Sequence, residues 1–168
     1  DLSGQNKPQH IADCVKENDE TCNSFLWSPD GRYLAWSDPR GIWLAQVEEL
    51  SVQLVQPDII TVKDPRGQES KSRVDYELHS WSPAGRFILV KLIPSAEGVQ
   101  WYSLLDTRLA RLVNIPESAD YSNRSSKITW TYDGDLLVAP ASLPEFQQAP
   151  YLQFWQIIPT NNTLLSPG

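Results

Sequence analysis

Three tryptophans open near-copies of one phrase: Trp27-Ser28-Pro29-Asp30-Gly31, Trp81-Ser82-Pro83-Ala84-Gly85 and Trp130-Thr131-Tyr132-Asp133-Gly134. Each phrase runs into an apolar stretch: Arg32-Tyr33-Leu34-Ala35-Trp36, Arg86-Phe87-Ile88-Leu89-Val90 and Asp135-Leu136-Leu137-Val138-Ala139. The tryptophans stand at positions 27, 81 and 130, so the unit recurs after 54 and then 49 residues. A unit that recurs in this way cannot bury its apolar face alone and has to stack on its neighbours.

The local chemistry of the unit is that of short strands joined by tight turns. In the first copy, Ser24 to Trp27 reads as a strand, and Ser28-Pro29-Asp30-Gly31 as a turn. Proline presets φ at its second position, and glycine takes the left-handed conformation at its end. Strands then follow over Arg32 to Trp36, Ile42 to Val47 and Ser51 to Val55, with Ser37 to Gly41 turning between the first two. The second copy repeats this over Leu78 to Trp81, Arg86 to Ile93, Val99 to Leu105 and Ala110 to Val113. The third is looser, with Tyr132 where the others have proline and a Pro-rich insertion from Pro140 to Pro150. Its strands are expected over Lys127 to Trp130, Asp135 to Ala139, Tyr151 to Ile158 and Thr163 to Leu165.

Four strands per unit, repeating every 40–50 residues or so, are the signature of a β-propeller. The expectation is an all-β chain of about three four-stranded antiparallel blades, near residues 24–56, 78–114 and 126–166, after a polar segment 1–23. The second strands carry apolar residues on both faces, as blades covered by neighbours on each side require. The motif tryptophans Trp27, Trp81 and Trp130 therefore read as blade-to-blade packing, with Gly31, Gly85 and Gly134 as turn residues; Trp36, Trp43, Trp101 and Trp155 read likewise. Asp58 to Val62 is expected to add a strand and Lys63 to Arg73 a polar loop.

The phrase Trp-Ser-Pro-Asp-Gly-Arg-Tyr-Leu-Ala-Trp resembles the TolB-like propeller repeat, which also occurs in the propeller domains of prolyl oligopeptidase and dipeptidyl peptidase relatives. Trp27 to Trp36 and Trp81 to Val90 carry the resemblance, with Trp130 to Ala139 a weaker copy. The His and Asp pair of ordinary WD-repeat blades is missing, so that WD-repeat-like subgroup fits less well. The resemblance implies a binding platform: TolB-like propellers dock protein partners, and peptidase propellers gate a catalytic domain outside the propeller. The matched positions are fold residues, so no functional residue carries over. Propellers close with about 4–8 blades. Three blades leave apolar open edges, which invite a larger propeller, a second chain or a cap from residues 1–23.

Charge excludes one class of partner. A net charge of −7, with no Lys/Arg cluster, does not suit nucleic acid. No apolar run approaches the ~20 residues of a membrane span. The chain starts at Asp1 and holds no Met, which suggests a removed leader or an excised domain. Cys14 and Cys22 are the only cysteines, lie in a polar stretch, and are expected to pair as a local disulfide in an oxidising compartment. The sequons Asn123-Arg124-Ser125 and Asn161-Asn162-Thr163 are short enough to arise by chance.

Catalytic chemistry finds little to stand on. His10 and His79 are the only histidines, and no Gly-x-Ser-x-Gly elbow, phosphate-binding glycine loop or His-Glu-x-x-His occurs. Asp75, Glu77 and His79 alternate with period two and share one strand face, which is a candidate metal or acid–base set without a completing ligand. Phe146 and Tyr151, in the Pro-framed insertion, are candidate partner-binding aromatics. The expected function is a non-enzymatic propeller module for protein–protein interaction or scaffolding, periplasmic or extracellular, with the cytoplasm left open. Its expected partner is a protein or a second copy through the open blade edges, and no cofactor is expected. The alternatives are the propeller portion of a larger serine peptidase or hydrolase, and a small-molecule or carbohydrate-binding propeller.

Overall fold

The computed structural model describes residues 10–13, 22–63, 68–95, 100–115, 127–139 and 153–155, and these are all β-structure, turn or coil. The first blade is β1 (Asn23–Trp27), β2 (Tyr33–Asp38), β3 (Gly41–Gln46) and β4 (Ser51–Pro57), an antiparallel meander in chain order. The second is β5 (Ile59–Lys63), β6 (Glu69–Trp81), β7 (Phe87–Pro94), β8 (Trp101–Asp106) and β9 (Arg111–Asn114). The third, among the described residues, is β10 (Lys127–Trp130), β11 (Leu136–Ala139) and β12 (Gln153–Trp155). The propeller-blade architecture expected from the repeat is therefore present, with one enlarged sheet.

That enlargement corrects one expectation. Glu69 to Arg73 is strand, not loop: β6 runs over 13 residues, its first part paired with β5 and its second with β7. The polar composition of this stretch obscured a strand whose side chains stay mostly exposed. The expected strand Thr163 to Leu165 lies outside the described residues.

The motif turns form the same hydrogen-bonded device three times. The backbone N–H groups of Gly31, Gly85 and Gly134 donate to the carbonyls of Ser28, Ser82 and Thr131 at 2.9, 2.8 and 3.1 Å. All three glycines have positive φ, of 72°, 69° and 90°. The hydroxyl beside each tryptophan then accepts from the backbone where the next strand starts. Ser28 Oγ accepts from Tyr33 N at 2.9 Å, Ser82 Oγ from Phe87 N at 3.0 Å, and Thr131 Oγ1 from Asp135 N at 3.0 Å. The third turn is one residue shorter. Trp27 pairs with Leu34 and Trp81 with Ile88, but Trp130 pairs with Leu136. Leu136, not Leu137, thus fills the place of Leu34 and Ile88. Turns of equal length would put Leu137 there, and only the strand register shows the difference.

Two apolar cores separate the three sheets. Ala35, Ile42, Leu44 and Val55 of the first blade pack with Val74, Tyr76, Leu78, Trp81, Ile88, Val90, Leu92 and Leu105 of the second. Phe87, Leu89, Leu104 and Ile115 pack with Leu136, supported by Ile128 and Trp130. The strand β7 serves both: Ile88, Val90 and Leu92 face one core while Phe87 and Leu89 face the other. This is the two-faced burial that its unbroken apolar sequence implied.

Gly41 marks the tightest approach within the first blade. It opens β3 with φ 135°, and a Cβ there would run into the carbonyl oxygen of Gln56 on β4. At Gly31 nothing lies within 4 Å of such an atom, so only its φ asks for glycine. Gly41→Ala is expected to cost about 3 kcal/mol in urea unfolding, against about 1 kcal/mol for Gly31→Ala. Equal costs would overturn the close β3–β4 approach.

Candidate functional site

Three places on the blades could carry function: the interfaces built by the motif tryptophans, the polar face of β6, and the β2–β3 hairpin. The first follows from the sequence repeat. Trp81 is buried against the first blade, and its indole Nε1–H donates to the carbonyl of Leu26 at 3.2 Å. The Trp130 indole Nε1–H donates to Ser80 Oγ at 3.0 Å. Leu26 and Ser80 occupy the same repeat position, immediately before the motif tryptophan of the preceding blade. Both of these indoles therefore reach back one blade, joining a large apolar contact to a directed hydrogen bond.

Trp27 departs from this pattern and from the packing role expected of it. It is 56% exposed, and Phe25, two residues earlier on the same strand face, is 55% exposed. Neither belongs to the two apolar cores between the described blades. Large apolar side chains adjacent on one face form a contiguous patch rather than scattered exposure. The sequence could not separate Trp27 from its two equivalents, because their local motifs are alike and only their neighbours differ.

The polar face of β6 is where the period-two reading placed it. Asp75, Glu77 and His79 are exposed, while Val74, Tyr76 and Leu78 point into the first core. Glu77 lies 3.7 Å from His79 Nε2 and 3.6 Å from Lys91 Nζ on β7. The ring of Tyr102 on β8 meets His79 edge-on at 5.2 Å. Burial holds the His79 imidazole below its ordinary range; the Glu77 carboxylate acts against this and Lys91 with it. Burial and the Glu77 charge raise the Tyr102 phenol. At 3.7 Å Glu77 is too far to orient the imidazole as a catalytic partner does. Among the described residues no three His, Cys, Asp or Glu side chains are grouped to hold a metal, so the structure does not draw Asp75, Glu77 and His79 into one ligand set.

The β2–β3 hairpin holds a buried carboxylate that sequence reading missed. Asp38 accepts from the backbone N–H of Arg40 at 2.9 Å, from the Trp43 indole at 2.9 Å, and from the Arg40 guanidinium. Burial raises its carboxyl, but the Arg40 guanidinium, the Trp43 indole and the Arg40 backbone outweigh this and hold it below the usual range. Arg40 also lies over the Trp43 ring at 4.4 Å, and Trp43 stacks with Trp36. These bonds close the hairpin on itself, a structural role. The available signal was the turn Asp38-Pro39-Arg40-Gly41 flanked by tryptophans.

The other candidates lie elsewhere. Phe146, Tyr151 and Cys14 are outside the described residues. No helix of the described chain is long and apolar enough to cross a membrane.

No family model matches the chain, and no curated protein does. Among solved structures, one described as "putative TolB from Agrobacterium tumefaciens" aligns at 13% identity with a TM-score of 0.32. The alignment covers 89% of this chain, which spans 62% of that one. At that similarity it identifies no activity and no family membership for this chain.

Two outcomes test the geometry. Trp81→Phe keeps one aromatic ring but removes the donor to Leu26 and the rest of the indole's volume, and is expected to cost at least about 1–2 kcal/mol in urea unfolding; no loss would show that the indole neither packs nor bonds there. His79 titrates below the ordinary histidine value of about 6.5, so its contribution to stability is complete above that pH. It is lost as the pH falls from there through the folded midpoint. Followed by NMR, Lys91→Gln should move the His79 midpoint up and Glu77→Gln should move it down; the reverse order would refute the arrangement.

Proposed function

We propose that the chain is a non-enzymatic β-propeller module that docks a protein partner, and that the exposed Phe25–Trp27 face of its first blade is the docking surface. The observation carrying this reading is the contrast within one repeat. Trp81 and Trp130 are engaged with a preceding blade, whereas Trp27, in the same motif position, presents its ring to solvent beside Phe25. Aromatic side chains offer large apolar area at low entropic cost, which is why they anchor protein interfaces. The net charge of −7 is consistent with a soluble partner and with no nucleic acid.

The TolB-like assignment of the repeat belongs to the same reading and rests on the Trp-Ser-Pro-Asp-Gly phrases. So does a place outside the cytoplasm. Cys22 is no free thiol, which supports the Cys14–Cys22 bridge that an oxidising compartment would keep. The small-molecule alternative would use Glu77, His79, Lys91 and Tyr102, the polar groups that meet on one face of the second blade.

A photo-crosslinking residue placed at position 25, with one at position 132 as control, tests the docking surface. Tyr132 is 97% exposed but sits on a turn rather than on this face. Protein adducts formed from position 25 and not from position 132 are expected. Equal adducts at both positions, or none at position 25, would refute the reading.

A further inference from the structure

Resting on the docking reading above, we infer that the partner of the Trp27 face is a second copy of this chain, whose third blade receives it at Thr129. The inference follows from the repeated inter-blade bond. In both described interfaces the motif indole donates to the residue just before the motif tryptophan of the preceding blade: Trp81 to Leu26, and Trp130 to Ser80. Among the described residues the series leaves one donor and one acceptor unused. The unused donor is the Trp27 indole, exposed and without a partner among the described residues. The unused acceptor position is Thr129, which precedes Trp130 and is also exposed.

The faces around these two residues complement one another in the way the filled interfaces do. Trp27 sits beside Leu34 across the β1–β2 pair, as Trp81 sits beside Ile88 and Trp130 beside Leu136. Ile88 and Leu136 are buried against the neighbouring blade, so Leu34 and Trp27 form the matching half of an interface of the same kind. On the other side, Thr129 pairs with Leu137 and faces away from the core that takes Ile128, Trp130 and Leu136. Thr129 also offers a hydroxyl as well as a carbonyl, thus matching either acceptor used inside the chain.

A donor at one end and its acceptor at the other make the contact head-to-tail. Two copies then satisfy both open faces of each copy: Trp27 of each reaches Thr129 of the other. The three sheets of the described residues in each copy make six, inside the range of about 4–8 blades at which propellers close. The occupant is therefore a blade of the same build, supplied by the same chain, and the first blade's apolar face continues an interface the structure already contains twice.

Light scattering behind size exclusion, with sedimentation equilibrium over a range of concentrations, tests this on the full 168-residue chain. The expected mass is twice 19.0 kDa. Trp27→Ala and Thr129→Arg each alter an exposed residue, and each is expected to weaken the pair at least about tenfold. Far-ultraviolet circular dichroism checks that both variants keep the fold. Mixed, the two variants leave one intact contact, since the Thr129→Arg copy still offers Trp27 to the other's Thr129; the mixture is expected to be heavier than either variant alone. A wild-type monomer at every concentration, a mass that climbs beyond the dimer, variants that pair like wild type, or a mixture no heavier than its components would each overturn the inference. If the wild type is monomeric while position 25 still crosslinks to other proteins, the second copy fails and the docking reading stands. If position 25 crosslinks to nothing, both fail.

Discussion

The indole N–H groups of Trp81 and Trp130 each find an acceptor in the blade before their own, and the arrangement of the described sheets depends on those two bonds. A buried indole without a partner, as at Trp36, loses the hydrogen bond it made to water, so burying the ring costs less where an acceptor waits. Leu26 and Ser80 supply it, one with a backbone carbonyl and one with a hydroxyl. Apolar packing alone is non-directional and would let the sheets slide. The directed bond sets where along β1 the second blade stops, and the same rule places the third.

The rest of the motif serves that placement. The hydroxyl next to each tryptophan takes the first backbone N–H of the returning strand or its neighbour, so the turn carries its own acceptor into a partly buried site. Positive φ at the glycine lets the chain reverse in so few residues. With the turn closed, the tryptophan and the residue paired opposite it lie on one face, and that face meets the neighbouring blade. The first blade adds a second anchor at its far end, where Asp38 gathers Arg40 and Trp43. Across the interface, the Tyr76 hydroxyl donates to the Pro57 carbonyl at 2.7 Å and the Arg73 guanidinium to the Pro39 carbonyl at 3.2 Å. Polar bonds thus frame the first apolar core where the blade ends would otherwise splay.

Much of the fold was legible because strand pattern and turn chemistry are local. β1, β2, β3, β7 and β8 fall within a residue or two of where alternating apolar stretches and Pro-Asp-Gly turns put them. β6 was read short because Glu69 to Arg73 has the composition of a loop, and its pairing with β5 is a property of the sheet rather than of those residues. Less of the candidate site was legible. The shared face of Asp75, Glu77 and His79 follows from period two, but Lys91 and Tyr102 come from other strands, and only register brings them to Glu77 and His79. The same holds for Asp38, whose burial depends on Trp43 across the hairpin.

By itself the sequence determined the repeat, the turn type, and the two-faced burial of the central strands. Each of these is encoded within ten or so consecutive residues, where side-chain alternation and backbone φ preference act directly. Only the tertiary structure decided that the third turn is one residue shorter, that Trp81 and Trp130 are tied to a preceding blade, and that Trp27 is left exposed. Three tryptophans in one motif are chemically equivalent along the chain. They become different only through what lies across from them, and that is set by residues 50 or more positions away.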